Sequence, residues 1–254
     1  MNAETDATPE ARRIAVVAGA TGTLGRLLVG RLAERGLDVV AVSRSGAPVD
    51  AGEAVSVAAD LGSASSIDVV RDALPPGDLA ILVSSVGLPG APPVLDADPA
   101  LFGAAVDLKC GGRLRLLRAV DDRLVRGSRV VAVGGHLGSE PTELAPLAGV
   151  ANAALANLVR QLVRPLGRRG ATVHLVAPGP FESARVDGLL AARAAGRGTT
   201  VEDERAALVD EVPAGRLPTA SDVAWAVTLL LDPAADALTG STLALDAGAR
   251  HGLF

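Results

Sequence analysis

The 254-residue chain contains no tyrosine. Any mechanism that takes its proton from a tyrosine is therefore excluded before a motif is considered. Lysine is almost as scarce: Lys109 is the only one, and the rest of the Lys and Arg total of 24 is arginine. Cysteine occurs once, at Cys110, so no intramolecular disulfide can form and the spacings of a cysteine metal site are missing. No metal and a cytoplasmic location are the expectations. Positive charge is not in excess either: the formal net charge of −5 argues against a nucleic-acid partner. No apolar run reaches the roughly 18–20 residues that cross a bilayer. The opening MNAETDATPEARR is polar and acidic, without the basic-then-apolar order of a signal peptide. Hydrophobic residues at 49% and charged residues at 21% argue against disorder, and the length suits one large domain with a sizeable core.

Short apolar runs alternate with longer amphipathic ones. Ile14–Ala18, Val39–Val42, Val55–Ala58, Leu79–Val83, Arg129–Val133, Val173–Val176 and Thr242–Leu245 read as strands. Leu24–Glu34, Leu101–Leu124, Val150–Leu166 and Val223–Leu231 read as helices. Strands that are apolar almost throughout, alternating with helices, predict a parallel sheet covered on both faces: a single-domain, doubly wound, Rossmann-like α/β fold. Residues 1–12 read as a flexible tail and 13–254 as the domain. Leu88–Pro99 is a proline-rich loop. Glu182–Pro218, rich in small, polar and charged residues, reads as a one- or two-helix insertion (182–218) over the carboxyl edge of the sheet, where it would cover a substrate.

The first strand runs into AGATGTLG, with Gly19, Gly22 and Gly25 in GxxGxxG spacing and Thr21, Thr23 and Leu24 between and beside them. Glycine gives the tight turn and lets the backbone approach a pyrophosphate at a helix N-terminus. Its place between first strand and first helix makes the signal strong. The second strand ends in AVSRS. Where an NAD site has an acid for the ribose hydroxyls, this chain has Ser43 and Arg44, and a guanidinium there suits a 2′-phosphate. NADP(H) is therefore the expected cofactor.

These residues resemble the short-chain dehydrogenase/reductase family, and the resemblance runs from about Arg13 to Gly248. Asp60 and Leu61 of VAADL match the family's aspartate stretch near the adenine. VSSVG, with Ser85 and Gly87, stands where the family has NNAG. Pro178 and Gly179 match its Pro-Gly turn, and Ser183 takes the place of a threonine that contacts the nicotinamide amide. GRLPTASDVAWAVTLLLDPAADALTGSTLALDAG, including Asp222, matches the C-terminal stretch. The resemblance implies a small-molecule substrate, NADP(H), and a homodimer or homotetramer packed through the two long helices.

The family's chemistry uses an Asn-Ser-Tyr-Lys set. The resemblance puts Asp107 at the asparagine, Gly135 at the serine, Ala148 at the tyrosine and Asn152 at the lysine, so all four positions differ. Three readings follow. The chain is an atypical reductase of C=N (iminium) or C=O bonds in a bulky organic substrate, of the kind found in secondary metabolism. Or it is a redox-neutral cyclase or isomerase. Or it is a non-catalytic subunit in a hetero-oligomer with an active paralogue. The first is favoured, because hydride transfer depends above all on positioning and an iminium needs no acid. Asp107 is the first candidate for a replacement group and His136 the second, with Glu140 and Glu182 near the same mouth. Against these stand plainer readings: Asp107 caps or pairs within its helix, and His136 is a solvated loop residue. Trp225 is expected in the core, His174, inside a strand, satisfied locally, and Cys110 packed rather than reactive. The arginines of GRLRLLRAVDDRLVR are expected mostly on a solvated or subunit-facing surface.

Overall fold

Seven parallel strands form one sheet in the order β3-β2-β1-β4-β5-β6-β7 in a computed structural model that describes residues 12–49, 52–90 and 92–252. The strands are β1 (Arg13–Ala18), β2 (Asp38–Ser43), β3 (Val55–Ala58), β4 (Asp78–Ser84), β5 (Arg129–Val133), β6 (Thr172–Pro178) and β7 (Thr242–Leu245). Between them run α1 (Thr23–Ala33), α2 (Ser66–Asp72), α3 (Ala100–Val106), α4 (Gly112–Ala119), α5 (Pro146–Gly167), α6 (Ala184–Arg197), α7 (Val201–Asp210) and α8 (Ala220–Leu229). The fold is thus a single-domain, Rossmann-like α/β sandwich. The sequence reading missed α2. Most of the 1–12 tail lies outside the described residues.

The strand period of two divides the core into two layers. Ile14, Val16 and Ala18 of β1 face one layer with α4 and α5, whose Leu116, Leu155 and Val159 are buried there. Ala15 and Val17 face the other, with Leu28 of α1 and Val223 and Val227 of α8. Chain order reverses between β1 and β4, so their carboxyl ends open the crevice in which ligands of doubly wound sheets sit.

Leu101–Leu124 is not one regular helix. Asp107–Gly111 between α3 and α4 forms a π-helical turn, and α4 ends at Ala119. Within 182–218, α6 and α7 pack through Val186, Leu190 and Leu208 into a small core of their own. Each starts at a hydroxyl cap: Ser183 accepts from the Val186 N–H, and Thr200 forms a reciprocal box with Asp203.

Two burial expectations are corrected. Trp225 is 57% exposed. Its helix buries Val223, Val227 and Leu230; a residue two positions after Val223 lies about 200° around the axis and points outward. The apolar content of this helix conceals its direction. Conversely, Arg113 is only 1% exposed although its neighbours Leu114 and Arg115 lie nearer the surface. It stands on the inward face with Leu116.

Candidate active site

The glycine turn owes its shape to close approaches. Gly19 has φ +81°, and a Cβ there would lie 2.8 Å from the Ser85 carbonyl oxygen. A Cβ on Gly25 would lie 2.1 Å from the Gly19 carbonyl oxygen, so α1 packs directly on the turn. Gly22 differs: its only neighbour would be the Gly19 oxygen at 3.5 Å, which leaves its outer side open. It is the N-cap of α1 and offers no side-chain cap to the first N–H groups. Open N–H groups beside a bare backbone fit the pyrophosphate of a dinucleotide, which would lie over Gly22, Thr23 and Leu24. Thr21 turns its carbonyl to Arg26 Nε at 3.0 Å.

Around this turn the other predicted cofactor residues fall into two groups. Ser43, Ser85 and Leu61 are structural walls. Ser43 Oγ accepts from the Gly46 N–H at 3.0 Å, Ser85 Oγ donates to the Ala18 carbonyl at 3.0 Å, and Leu61 is buried. Arg44, Asp60 and Gly87 are exposed. Arg44 makes no hydrogen bond or ion pair among the described residues. Asp60 Oδ1 accepts from the Gly62 N–H at 2.9 Å. On the far side of the crevice, Pro178 ends β6, and the Gly179 N–H donates to the Leu245 carbonyl at 3.0 Å. The Ser183 hydroxyl serves the α6 cap and donates to the Phe181 carbonyl.

Of the four positions of the catalytic set, Gly135 after β5 and Asn152 in the first turns of α5 meet directly, Ala148 stands on α5 and Asp107 in the π turn. Asn152 is buried; its Nδ2 lies 2.9 Å from where a Cβ on Gly135 would sit. A serine there would force Asn152 aside, so the two replacements fit each other. Ala148 lies one turn before Asn152 on the same face of α5 and adds no polar atom. Asp107 does not point alone into the site. Its carboxylate receives both Nη atoms of Arg115 at 3.0 and 3.1 Å, and Arg115 also donates to the Leu61 carbonyl.

His136 opens a short 3-10 turn after β5 and is half-buried against the Pro178 carbonyl, to which its ring donates. Burial lowers its pKa below the ordinary imidazole value; the Pro178 bond and the charges of Asp246 and Glu140 oppose that shift. Asp246, which the sequence reading did not select, follows β7 against Gly179: a Cβ on that glycine would lie 3.0 Å from Asp246 Cα. Its Oδ1 accepts from the Gly248 N–H, whereas Oδ2 is buried with no hydrogen bond among the described residues and lies 3.9 Å from Arg250 Nε. The signal for it was weak, a single acid just before the final Ala-Gly. Glu140 holds the other side: Oε1 accepts from the Gly252 N–H at 3.0 Å, and Oε2 faces His251 Nδ1 at 3.4 Å. Glu182 is exposed and contributes backbone pairing with Thr219. Cys110 matches expectation, whereas His174 has one local partner, Thr172, and one distant one, Leu238. His174 is bonded through both ring nitrogens, and Cys110 packs against the core with its thiol pKa raised by burial.

A doubly wound sheet, a bare glycine cradle at its switch point and a polar corner across the crevice define an oxidoreductase fold that handles small organic molecules. The chain belongs to the short-chain dehydrogenase/reductase family: residues 19–250 match the family model described as enoyl-(acyl carrier protein) reductase. It is 31% identical over 252 residues to a cis-4-hydroxycyclohexanecarboxylate dehydrogenase of Sinomonas cyclohexanicum, covering 94% of this chain and 96% of that protein. It is 27% identical over 248 residues to the 3-oxoacyl-(acyl-carrier-protein) reductase FabG of Escherichia coli K12, covering 93% and 96%. A short-chain dehydrogenase family protein from Francisella tularensis shares the fold, with TM-score 0.87 at 18% identity over 94% of this chain and 99% of that one. Among the described residues no helix is long and apolar enough to cross a membrane.

Proposed function

We propose that the protein is an NADP(H)-dependent reductase of C=N (iminium) or C=O bonds in a bulky organic substrate, working without a tyrosine acid. The observation that carries this reading is the intact glycine cradle: Gly19 and Gly25 are held by contacts that exclude a Cβ, while Gly22 faces open space. Arg44, exposed at the end of β2, is the residue for a 2′-phosphate. When bound, the nicotinamide supplies the hydride. The chain would position the acceptor carbon, and the Pro178–Gly179 turn would hold the nicotinamide.

Gly135 and Ala148 add no bulk at the catalytic corner, which suits a large substrate. An iminium carbon accepts hydride and becomes an amine with no proton needed. A carbonyl becomes an alkoxide and needs one, and His136 is the side chain placed to give it. Asp246 steadies the imidazolium across the turn. Asp107 acts through Arg115 and Leu61 as a positioning residue. Helices α6 and α7 cover the substrate. Copies of the chain associate through α4 and α5, whose Leu114 and Val150 are partly or well exposed apolar side chains. Light scattering on the purified protein tests that; a monomer overturns it.

Calorimetric titration with NADPH and NADH tests the reading. Micromolar binding of NADPH, weaker binding of NADH, and NADPH oxidation with cyclic iminium or ketone substrates are expected. Failure to bind either dinucleotide overturns it.

A further inference from the structure

The two helices over the crevice form a body of their own. Val186 and Leu190 of α6 and Leu208 of α7 close a small core with Val212 and Leu217, apart from the two layers of the sheet. Both ends of the segment meet at one neck: Glu182 bridges to Thr219, and the Glu182 N–H donates to the Pro218 carbonyl at 3.0 Å. A unit with its own core on a single neck can open separately from the sheet unless something else ties it down.

The residues after β7 are such a tie. Asp246 packs against Gly179, where a Cβ would lie 3.0 Å from Asp246 Cα. The Ala247 carbonyl accepts from the Ala214 N–H at 3.1 Å, a few residues past α7. Ala247 and Ala249 pack onto the core of α6 and α7, and a Cβ on Gly248 would lie 3.3 Å from the Pro213 ring. Further along, the Gly252 N–H donates to Glu140 Oε1 at 3.0 Å. Glu140 in turn donates its own N–H to the His136 carbonyl at 2.9 Å. One short run, residues 246–252, thus joins the Pro178–Gly179 turn, the two helices and the loop that carries His136.

Two details show how this run is held. The Gly252 N–H, ahead of the exposed His251, lowers the Glu140 pKa, so the ionised carboxylate is the group that grips it. Ala247 is the one non-glycine among the described residues in the left-handed region, with φ +54°. A side chain there is strained, and such a conformation persists only while its surroundings enforce it.

We propose that residues 246–252 form a strap that holds α6 and α7 down over the crevice, with Glu140 as its clasp. The inference rests on the reading of α6 and α7 as the substrate cover. Glu140 is a positioning residue: among the described residues it has no hydrogen bond or ion pair to α6 or α7 and acts on them through the strap. The same clasp sets the His136 loop, so cover and proton donor are fixed together. The strain at Ala247 keeps the strap ready to open when the clasp releases.

Hydrogen exchange of the full chain, read by mass spectrometry without cofactor, tests the strap in wild type, Glu140→Ala, Glu140→Gln and Ala247→Gly. In Glu140→Ala the amides of α6 and α7 should exchange about three- to tenfold faster, as loss of one partly exposed charge-assisted hydrogen bond predicts. Glu140→Gln, which keeps an acceptor for the Gly252 N–H, should have a smaller effect. Ala247→Gly should slow the same amides by about threefold, because glycine bears no cost at a positive φ. Strands β1 and β5 should exchange as in wild type throughout. A change confined to residues 251 and 252, an equal change across the sheet, or a faster cover in Ala247→Gly overturns the strap. Should Glu140→Ala fail to fold, the opposite shifts expected of Glu140→Gln and Ala247→Gly still decide it. Dinucleotide binding enters none of these outcomes, so failure of the strap and failure of the cofactor reading are told apart.

Discussion

Arg115 grips Asp107 with both ends of its guanidinium, Nη2 to Oδ1 at 3.0 Å and Nη1 to Oδ2 at 3.1 Å, while the same Nη1 donates to the Leu61 carbonyl at 2.6 Å. The acid at the family's asparagine position is thereby tied to the loop after β3 rather than left to meet a substrate. Gly112 tightens the junction, since a Cβ on it would lie 3.1 Å from Leu61 Cβ.

It follows that Asp107→Asn and Asp107→Ala should act on binding rather than on proton transfer. A loss of about two- to fivefold in NADPH affinity and at most about 1 kcal/mol of stability is expected, the range of a partly exposed ion pair. The pH profile of turnover should be unchanged. A shifted profile would return Asp107 to the chemistry.

Among the described residues Arg44, just past the end of β2, has no hydrogen-bond or ion-pair partner for its removal to orphan. Arg44→Ala should weaken NADPH by about 10- to 100-fold and NADH little, because only NADPH offers the 2′-phosphate for a charge-assisted contact. Calorimetry with both dinucleotides decides it; equal losses would remove Arg44 from cofactor choice.

The pH dependence should differ between substrate types. Burial places the His136 pKa below its ordinary value, so the imidazolium fraction grows only as pH falls below about 6.5. Ketone reduction should therefore rise with falling pH through this region. His136→Gln should flatten that rise and reduce turnover by about 100-fold, the usual contribution of a general acid. Reduction of a permanently charged, N-alkylated iminium should show neither effect. Asp246→Asn should move the ketone profile to lower pH, because it removes a charge that favours the imidazolium. A ketone profile that His136→Gln leaves intact would exclude His136 as the donor.

His174 should make stability pH-dependent by a separate route. Its Nδ1 faces the Leu238 carbonyl at 3.2 Å, and its Nε2 accepts from Thr172 Oγ1 at 2.8 Å, an arrangement that suits the neutral ring. Burial first, and then nearby Arg129, lower its pKa to about 4. The unfolded chain takes up a proton near pH 6.5, well before the folded one. Stability is thus full above that pH and is lost as pH falls toward 4, by at most about 3 kcal/mol. Urea unfolding of His174→Gln between pH 7 and 4.5 should show a shallower decline than wild type. Parallel declines would place the sensitivity elsewhere.

Much of this molecule was written in local pattern. The alternation of apolar strands with amphipathic helices fixes the layers, since a strand must hide both faces and a helix one. The glycine spacing marks the turn because only glycine tolerates φ +81° at Gly19 and a 2.1 Å approach at Gly25. The missing phenol is a matter of composition, independent of any fold. Other properties depend on direction, and direction is settled when elements pack. Trp225 points out and Arg113 points in because helix rotation is set by the neighbours that each helix meets, not by the hydropathy of one residue. Asp107 finds Arg115 through a π turn that no periodicity announces. Asp246 reaches the Pro178–Gly179 turn only because β6 and β7 lie side by side, and Lys109 reaches the Val133 carbonyl at the end of β5 from the π turn before α4. The chain by itself determined the class of fold, the glycine turn and the absence of the usual acid. Tertiary packing alone decided which charges meet at the crevice, because those meetings join segments far apart in sequence through contacts that local propensity does not encode.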